Sequence, residues 1–197
     1  MPTLAEQFGQ IDIYLFDQLL RGRIAPGTRI LDAGCGYGRN LVYLLREGFD
    51  VYGADADPNA IAALQRLGPN RFRAEAVEAL SFPDAFADVV ISSAVLHFAR
   101  DEAHFAAMLL GSWRVLKPGG LFFCRLASSI GIEVQIRPLG NGRFHLPDGS
   151  DRFLVDEDLL LHWAARLRAE PLDPLKTTVV QNQRAMTTWV LQKLPNG

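Results

Sequence analysis

The chain has 197 residues and a mass of 21.8 kDa, which at roughly 150 residues per domain predicts one domain with a small elaboration and excludes two full ones. Apolar residues make up 49% and charged residues 21%, a balance that excludes disorder and a disulfide scaffold and suits one buried core. With 20 Lys and Arg against 22 Asp and Glu, the formal charge is -2 and the pI near 6.1, so no global field draws the chain to nucleic acid or an anionic membrane.

Cys35 and Cys124 stand far apart in apolar, strand-like settings, with no Cys or His at metal-ligand spacing. Reduced thiols and no metal are expected. The start MPTLAEQFGQ lacks the basic residues and apolar run of a signal peptide, and no stretch approaches 18 apolar residues, so a cytoplasmic protein without a membrane span is expected.

In chain order, Ile11 to Arg23 repeats apolar residues every three or four positions and predicts a helix ended by Gly22 and the Pro26-Gly27 turn. TRILDAG (28–34) predicts a strand, GRNLVYLLREG (38–48) a helix, DVYGAD (50–55) a strand and PNAIAALQRL (58–67) a helix with Pro58 in its first turn. This alternation is the mark of a parallel sheet covered by helices. Strands follow at 70–76 and 87–93, a helix from about Asp101 to Leu116 ended by KPGG, and a fifth strand at 120–127. Residues 137–152, rich in Gly, Pro and charge, read as a loop or short hairpin that is a candidate lid. A helix at 156–167 precedes two strands, 175–181 and 185–193, close enough to pair antiparallel at a sheet edge.

The sharpest chemical signal is ILDAGCGYGRN (30–40), where Gly34, Gly36 and Gly38 follow a strand and open a helix. Such glycines allow a tight turn and close approach of a ligand to backbone. The spacing is not the dinucleotide G-x-G-x-x-G, because Arg39 holds the third-glycine position, and no G-K-[ST] follows for a phosphate loop. Asp32 at the loop mouth repels a pyrophosphate and attracts a ligand amine. Asp55, ending the second strand, suits a bidentate grip on ribose hydroxyls; the alternative, capping the next helix, is also open to Asp57.

ILDAGCGYGRN, VYGADADPNAI (51–61), ALSFPDAFADVVISSAVLHF (79–98) and RVLKPGGLFF (114–123) together resemble the successive motifs of class I S-adenosylmethionine-dependent methyltransferases of the small bacterial type, over roughly residues 28–127. GYGRNLVYLLREGFDV is similar, more weakly, to tellurite-resistance methyltransferases. The resemblance implies a Rossmann-like three-layer α/β sandwich with a seven-stranded, mostly parallel sheet of order 3-2-1-4-5-7-6, strand 7 antiparallel. One domain would then span 1–197, with a cover helix at 11–23, a cofactor half at 28–127 and a substrate-side region at 128–197. It implies S-adenosyl-L-methionine as cofactor, with Asp32 near its amino group and Ala33, Gly34, Cys35, Gly36, Gly38 and Asn40 along its methionine part. Asp55 would hold the ribose, Ala56 and Asp57 would flank the adenine, and Ser92, at the end of the fourth strand, would also be a cofactor-binding residue. The family's adenine-binding Asp is replaced by Ala76, which leaves Glu75 or the Val77 backbone N–H for that contact.

Methyl transfer from a sulfonium is an in-line displacement that needs alignment more than a base. His97, after the fourth strand, is a candidate base or a packing residue. Tyr14 on the leading helix either covers the methyl group or only packs. Arg137, Arg143, His145 and Arg152 form a local positive excess that faces either an anionic acceptor or solvent. Ser92-Ser93-Ala94-Val95 is not the Asn/Asp-Pro-Pro-Tyr of base methylation, and no basic tail is present, so the expected partner is a small molecule, with a monomer or homodimer. The alternatives are a non-catalytic protein that binds the cofactor or its demethylated product, and a nicotinamide oxidoreductase, disfavoured by Arg39 and Asp32.

Overall fold

A computed structural model describes residues 3–195. The elements are α1 (Leu4–Phe8), α2 (Ile13–Leu20), β1 (Arg29–Ala33), α3 (Leu41–Arg46), β2 (Asp50–Asp55), α4 (Pro58–Leu64), β3 (Phe72–Ala74), β4 (Ala87–Ser93), α5 (Glu102–Val115), β5 (Leu116–Ser128), β6 (Arg137–Gly140), β7 (Arg143–His145), β8 (Asp151–Phe153), α6 (Glu157–Arg166), β9 (Ala169–Pro171), β10 (Lys176–Val180) and β11 (Arg184–Lys193). Each of α2, α4, α5 and α6 starts behind an Asp (Asp12, Asp57, Asp101, Asp156) whose carboxylate accepts a first-turn N–H. Those acceptors satisfy donors that the helix itself leaves free.

The main sheet runs β10-β11-β5-β4-β1-β2-β3. The five strands β1 to β5 are mutually parallel, and β11 lies antiparallel against β5. With the two tail strands numbered six and seven, this is the expected order 3-2-1-4-5-7-6. Both β9 and β10 pair with the free edge of β11, one at each end of it.

Adjacent residues in these strands point to opposite faces, and here both are apolar. Leu31, Val90, Phe122 and Leu191 pack with α5 and α6 through Phe105, Leu109, Trp113 and Leu160. Their neighbours Ile30, Val89, Phe123 and Val190 pack with α2, α3 and α4 through Leu15, Leu44 and Ile61. The sheet is thus covered on both faces, as a parallel sheet requires. At the far end of β11, the Lys193 ammonium donates to the Trp113 and Leu116 carbonyls, at 2.8 Å each, where α5 ends. A cation there complements the helix dipole.

Four local differences from the sequence reading have physical causes. KPGG does not separate α5 from β5: the strand starts at Leu116, and the register shift between Ala87 and Val89, with Gly119 at φ +79°, makes the glycines a bulge. Residues 137–153 form a three-stranded antiparallel sheet, β6-β7-β8, instead of a loop or single hairpin. Its third strand is the polar stretch Asp151-Arg152-Phe153, too short to show a period. The third strand of the main sheet keeps only 72–74, because the chain turns at Val77–Ala79 to meet α5. The leading helix is shortened to 13–20, Asp12 being its cap.

That turn passes so close to α5 that a methyl group at Gly111 would overlap the Val77 carbonyl. Alanine inside a helix normally outranks glycine by about 1 kcal/mol. Here Gly111→Ala should instead destabilise the chain by about 1–3 kcal/mol through overpacking, read as a lowered urea midpoint with unchanged m-value.

Candidate functional site

The strand order reverses between β1 and β4, so the chain leaves these neighbouring strands in opposite directions and a crevice opens beyond their carboxyl ends. Two clefts meet there, sharing Ala94, itself at φ +64°. The larger, about 660 Å³, runs along Gly34, Gly36, Asp55, Ala56, Ala76 and Val77 and is walled by Val95, Phe98 and Met108. The smaller, about 310 Å³, lies toward β5, β8 and β11.

The glycine loop shapes the first cleft. Gly34 (φ +94°) turns the chain directly under Val95, where a side chain would overlap the valine methyls. Gly36 (φ +50°) has open space where its Cβ would be, so backbone is bared to the cleft. Cys35, between them, points away into the core with Leu41 and Leu64, and burial pushes its thiol well above the usual range. Ala33 is likewise buried in the core, and Gly38 faces Leu64.

Asp32 is 1% exposed, and neither of its carboxylate oxygens makes a hydrogen bond. Burial pushes it up to about 7, with Asn40 and Arg39 only partly opposing and Asp55 adding to the rise. The Ser92 hydroxyl is buried and similarly unpartnered. Asp55 accepts the Gly36 N–H at 2.8 Å on one oxygen and the Asp57 N–H at 2.9 Å on the other. It braces the loop while lining the cleft. Asp57 performs the capping role, taking the Asn59 N–H at 2.9 Å.

At the far end of this cleft, Glu75 is not presented to it. Its carboxylate accepts both the Ser81 N–H, at 2.9 Å, and the Ser81 hydroxyl, and so pins the 75–81 turn. In its place stand Glu78 and His104, joined at 3.0 Å, with the other His104 ring nitrogen accepting the Arg100 N–H. No local motif marked this pair, because it forms between the 77–79 turn and α5.

The second cleft is lined by Arg39, Arg125, Arg152 and Arg184, together with His97 and Asp148. Arg137, Arg143 and His145 are not among its walls. In β7 and β8, Arg143 opposes Phe153 and His145 opposes Asp151, while Arg152 opposes Phe144 on the alternate face. The pleat therefore delivers Arg152, one of the four expected basic residues, to the cleft and turns Arg143 and His145 away; His145 pairs with Asp151 at 2.7 Å, and Arg137 is exposed.

Behind the arginines sits Asp12, 5% exposed. One oxygen caps α2; the other accepts from the Ser93 hydroxyl at 3.1 Å and Arg125 at 3.3 Å, with Arg39 at 3.9 Å. Arg39 donates in turn to Ser93 at 3.0 Å, and Asn40 accepts the Asp12 N–H at 3.0 Å. Asn40 is thus a tie between loop and leading segment. Tyr14 lies outside both clefts: its hydroxyl bonds Thr178 on β10 at 2.6 Å, and its ring lies beneath the Arg125 guanidinium, 5.2 Å away. Its place is that of a support for Arg125 rather than a cover over a methyl group.

His97 is 6% exposed, and its Nδ1 accepts the Ala127 N–H at 3.1 Å. Burial, then the charges of Arg152 and Arg125, bring the imidazole down to about 4. The ring is neutral at physiological pH. Among the described residues no group of three His, Cys, Asp or Glu is placed to hold a metal ion, and no helix is long and apolar enough to cross a membrane.

Comparison with known proteins agrees with this geometry. Residues 31–124 match the family described as "Methyltransferase domain". The chain is 37% identical over 100 residues to an uncharacterised methyltransferase of Synechocystis, covering 50% of this chain and 47% of that protein. It is 39% identical over 129 residues to the 2-methyl-6-phytyl-1,4-hydroquinone methyltransferase of the same organism, covering 61% and 40%. The chain therefore spans less than half the length of these curated relatives. Among solved structures, a methyltransferase from Methanosarcina mazei superposes with TM-score 0.75 at 22% identity, covering 90% of this chain and 98% of that one. The 1,6-didemethyltoxoflavin-N1-methyltransferase of Burkholderia thailandensis, solved with S-adenosylhomocysteine, gives 0.71 at 20% identity, covering 95% and 80%. Fold, glycine loop and family match converge: residues 31–124 carry a methyltransferase domain, in a fold shared with S-adenosylmethionine-dependent methyltransferases of known structure.

Proposed function

We propose that this chain methylates a small, anionic organic molecule, with S-adenosyl-L-methionine as the methyl donor. The observation that carries the reading is the buried, unpartnered Asp32 carboxylate beside a loop of bared backbone. A buried acid without a hydrogen bond is costly to keep. A ligand ammonium would supply the missing partner, and the amino-acid end of this donor has one. Asp55, already oriented by Gly36 and Asp57, retains acceptor capacity on both oxygens for a ribose diol. Ala56, Ala76, Val77 and Met108 give the flat apolar walls that a purine needs, with Glu78 and His104 at the rim.

The donor brings an activated methyl on a sulfonium; the protein's share is alignment. The two clefts share Ala94, so an acceptor in the arginine-lined cleft would meet a methyl presented from the other. The hydroquinone and toxoflavin precursors in the names of the similar proteins are small organic molecules too.

Two outcomes test the cofactor site. Asp55→Asn should weaken S-adenosylmethionine binding at least tenfold with the fold retained; unchanged calorimetric affinity would reject the assigned role. For Asp32 the sign follows from its raised value. The unliganded chain holds this proton up to about 7 while the unfolded chain loses it near 3.8, so its contribution to stability is complete below 3.8 and is lost as the pH rises through 7. Asp32→Asn should therefore raise the stability of the unliganded protein at pH 8, by up to about 4 kcal/mol. The same substitution should abolish the weakening of cofactor binding in the native protein below pH 7, which a titration series between pH 5.5 and 8 would read.

A further inference from the structure

The arginine-lined cleft carries more positive charge than its own carboxylates answer. Asp12 stands against Arg125 and Arg39, and Asp148 against Arg184 and Arg152. Four guanidiniums thus meet two carboxylates. The Arg125 Nε is buried and has no acceptor. A guanidinium cannot shed its proton, so only an anion completes such a cleft.

The cleft also lacks a group that could take a proton. On His97, the Ala127 N–H occupies the Nδ1 lone pair, which places the ring's proton on Nε2. His97 is therefore a hydrogen-bond donor toward the cleft. The other carboxylate there, Asp148, is exposed at the cleft's rim, and although partial desolvation works the other way, hydrogen bonds from Ser150 and the Arg184 and Arg152 charges hold it below the usual range, which makes it a poor base. The remaining charged groups facing His97 across the cleft are Arg39 and Arg125. A protonated amine would be repelled by this wall, and a neutral alcohol would find nothing to deprotonate it.

We propose that the acceptor is an organic acid bound as its anion, and that its ionised oxygen is the atom methylated. This rests on the methyl-transfer reading above. The oxygen gives an electron pair to the methyl carbon of the sulfonium donor; the carbon–sulfur bond breaks, its pair stays on sulfur, and the sulfonium becomes a neutral thioether. A carboxylate yields a methyl ester and an acidic enol or phenol a methyl ether. No proton passes to the protein. The arginines hold the acceptor ionised, and His97 positions it.

The test uses the full chain saturated with S-adenosylhomocysteine, and 4-nitrophenol, whose anion is coloured, as the probe. Its ionisation midpoint should fall by about one pH unit or more on binding, and the shift should shrink in Arg125→Met and Arg184→Met. Calorimetry should show S-adenosylhomocysteine affinity unchanged in both variants, separating loss of the anion site from loss of fold. Benzoate should displace the probe and benzamide should not. Nitrogen NMR should find His97 as the neutral Nε2–H tautomer from pH 5 to 8, and His97→Asn, which keeps an oxygen for the Ala127 N–H, should remove no ionisation near pH 6.5 from the kcat profile. In an acceptor screen at pH 8, S-adenosylhomocysteine release should be confined to acids and unaccompanied by proton release. An unshifted probe, equal competition by benzamide, or turnover of amines or neutral alcohols with one proton released would overturn the inference. A normal probe shift in a chain that binds neither S-adenosylmethionine nor S-adenosylhomocysteine would overturn the methyl-transfer reading and leave the anion site standing.

Discussion

Burial of the sheet on both faces is the constraint from which the site follows. Along β1 and β4, successive residues are apolar whichever way they point, so polar groups in these strands are tolerated only where the strands end. Asp32, Ser92 and Ser93 all fall at those carboxyl ends, and the reversal of strand order between β1 and β4 opens the crevice at the same place. The unpartnered Asp32 is the extreme case, an acid kept at the edge of an apolar core. Its raised pKa and the affinity for an ammonium proposed for it have the same origin, because both express the missing solvation.

Most of the fold was legible in the sequence because its signals are local and periodic. β2 and β4 lie within the limits that their apolar runs predict, and the glycines mark turns that only positive φ can make. Asp32, the glycine loop and Asp55 fall where the sequence places them for the same reason: they belong to two consecutive strand–turn units. Glu75 and Arg143 were misplaced because their orientation depends on a single residue of phase, which periodicity over three residues cannot fix. Neither Arg39 nor Arg125 announces itself. Each is an unremarkable cation until Asp12, far from Arg125 in the sequence, is folded against it.

The second cleft is built differently from the first. The first cleft is assembled from backbone and strand ends, which vary little in position. The second is assembled from long side chains on four separate pieces of the chain: the residue after the glycine loop, β5, the small β6-β7-β8 sheet and β11. The third apolar cluster, Ala127, Ile132, Leu146, Leu154 and Ala185, anchors the small sheet against the main one beside this cleft. On the proposed reading, donor recognition would rest on the main sheet, and acceptor recognition on packing between that sheet and its appendage.

Asp12 joins these two halves, because a single buried carboxylate is both the cap of α2 and the counter-ion of Arg125. The Arg125 Nε, which has no acceptor, is a different nitrogen from the one that reaches that carboxylate. The Asp12 backbone N–H, held by Asn40, separately ties the leading segment to the glycine loop. On the proposed reading, the acceptor anion and the cap of α2 would share one guanidinium, Asp12 on its terminal nitrogen and the anion on its Nε, which would tie the acceptor site to the seating of the leading helix.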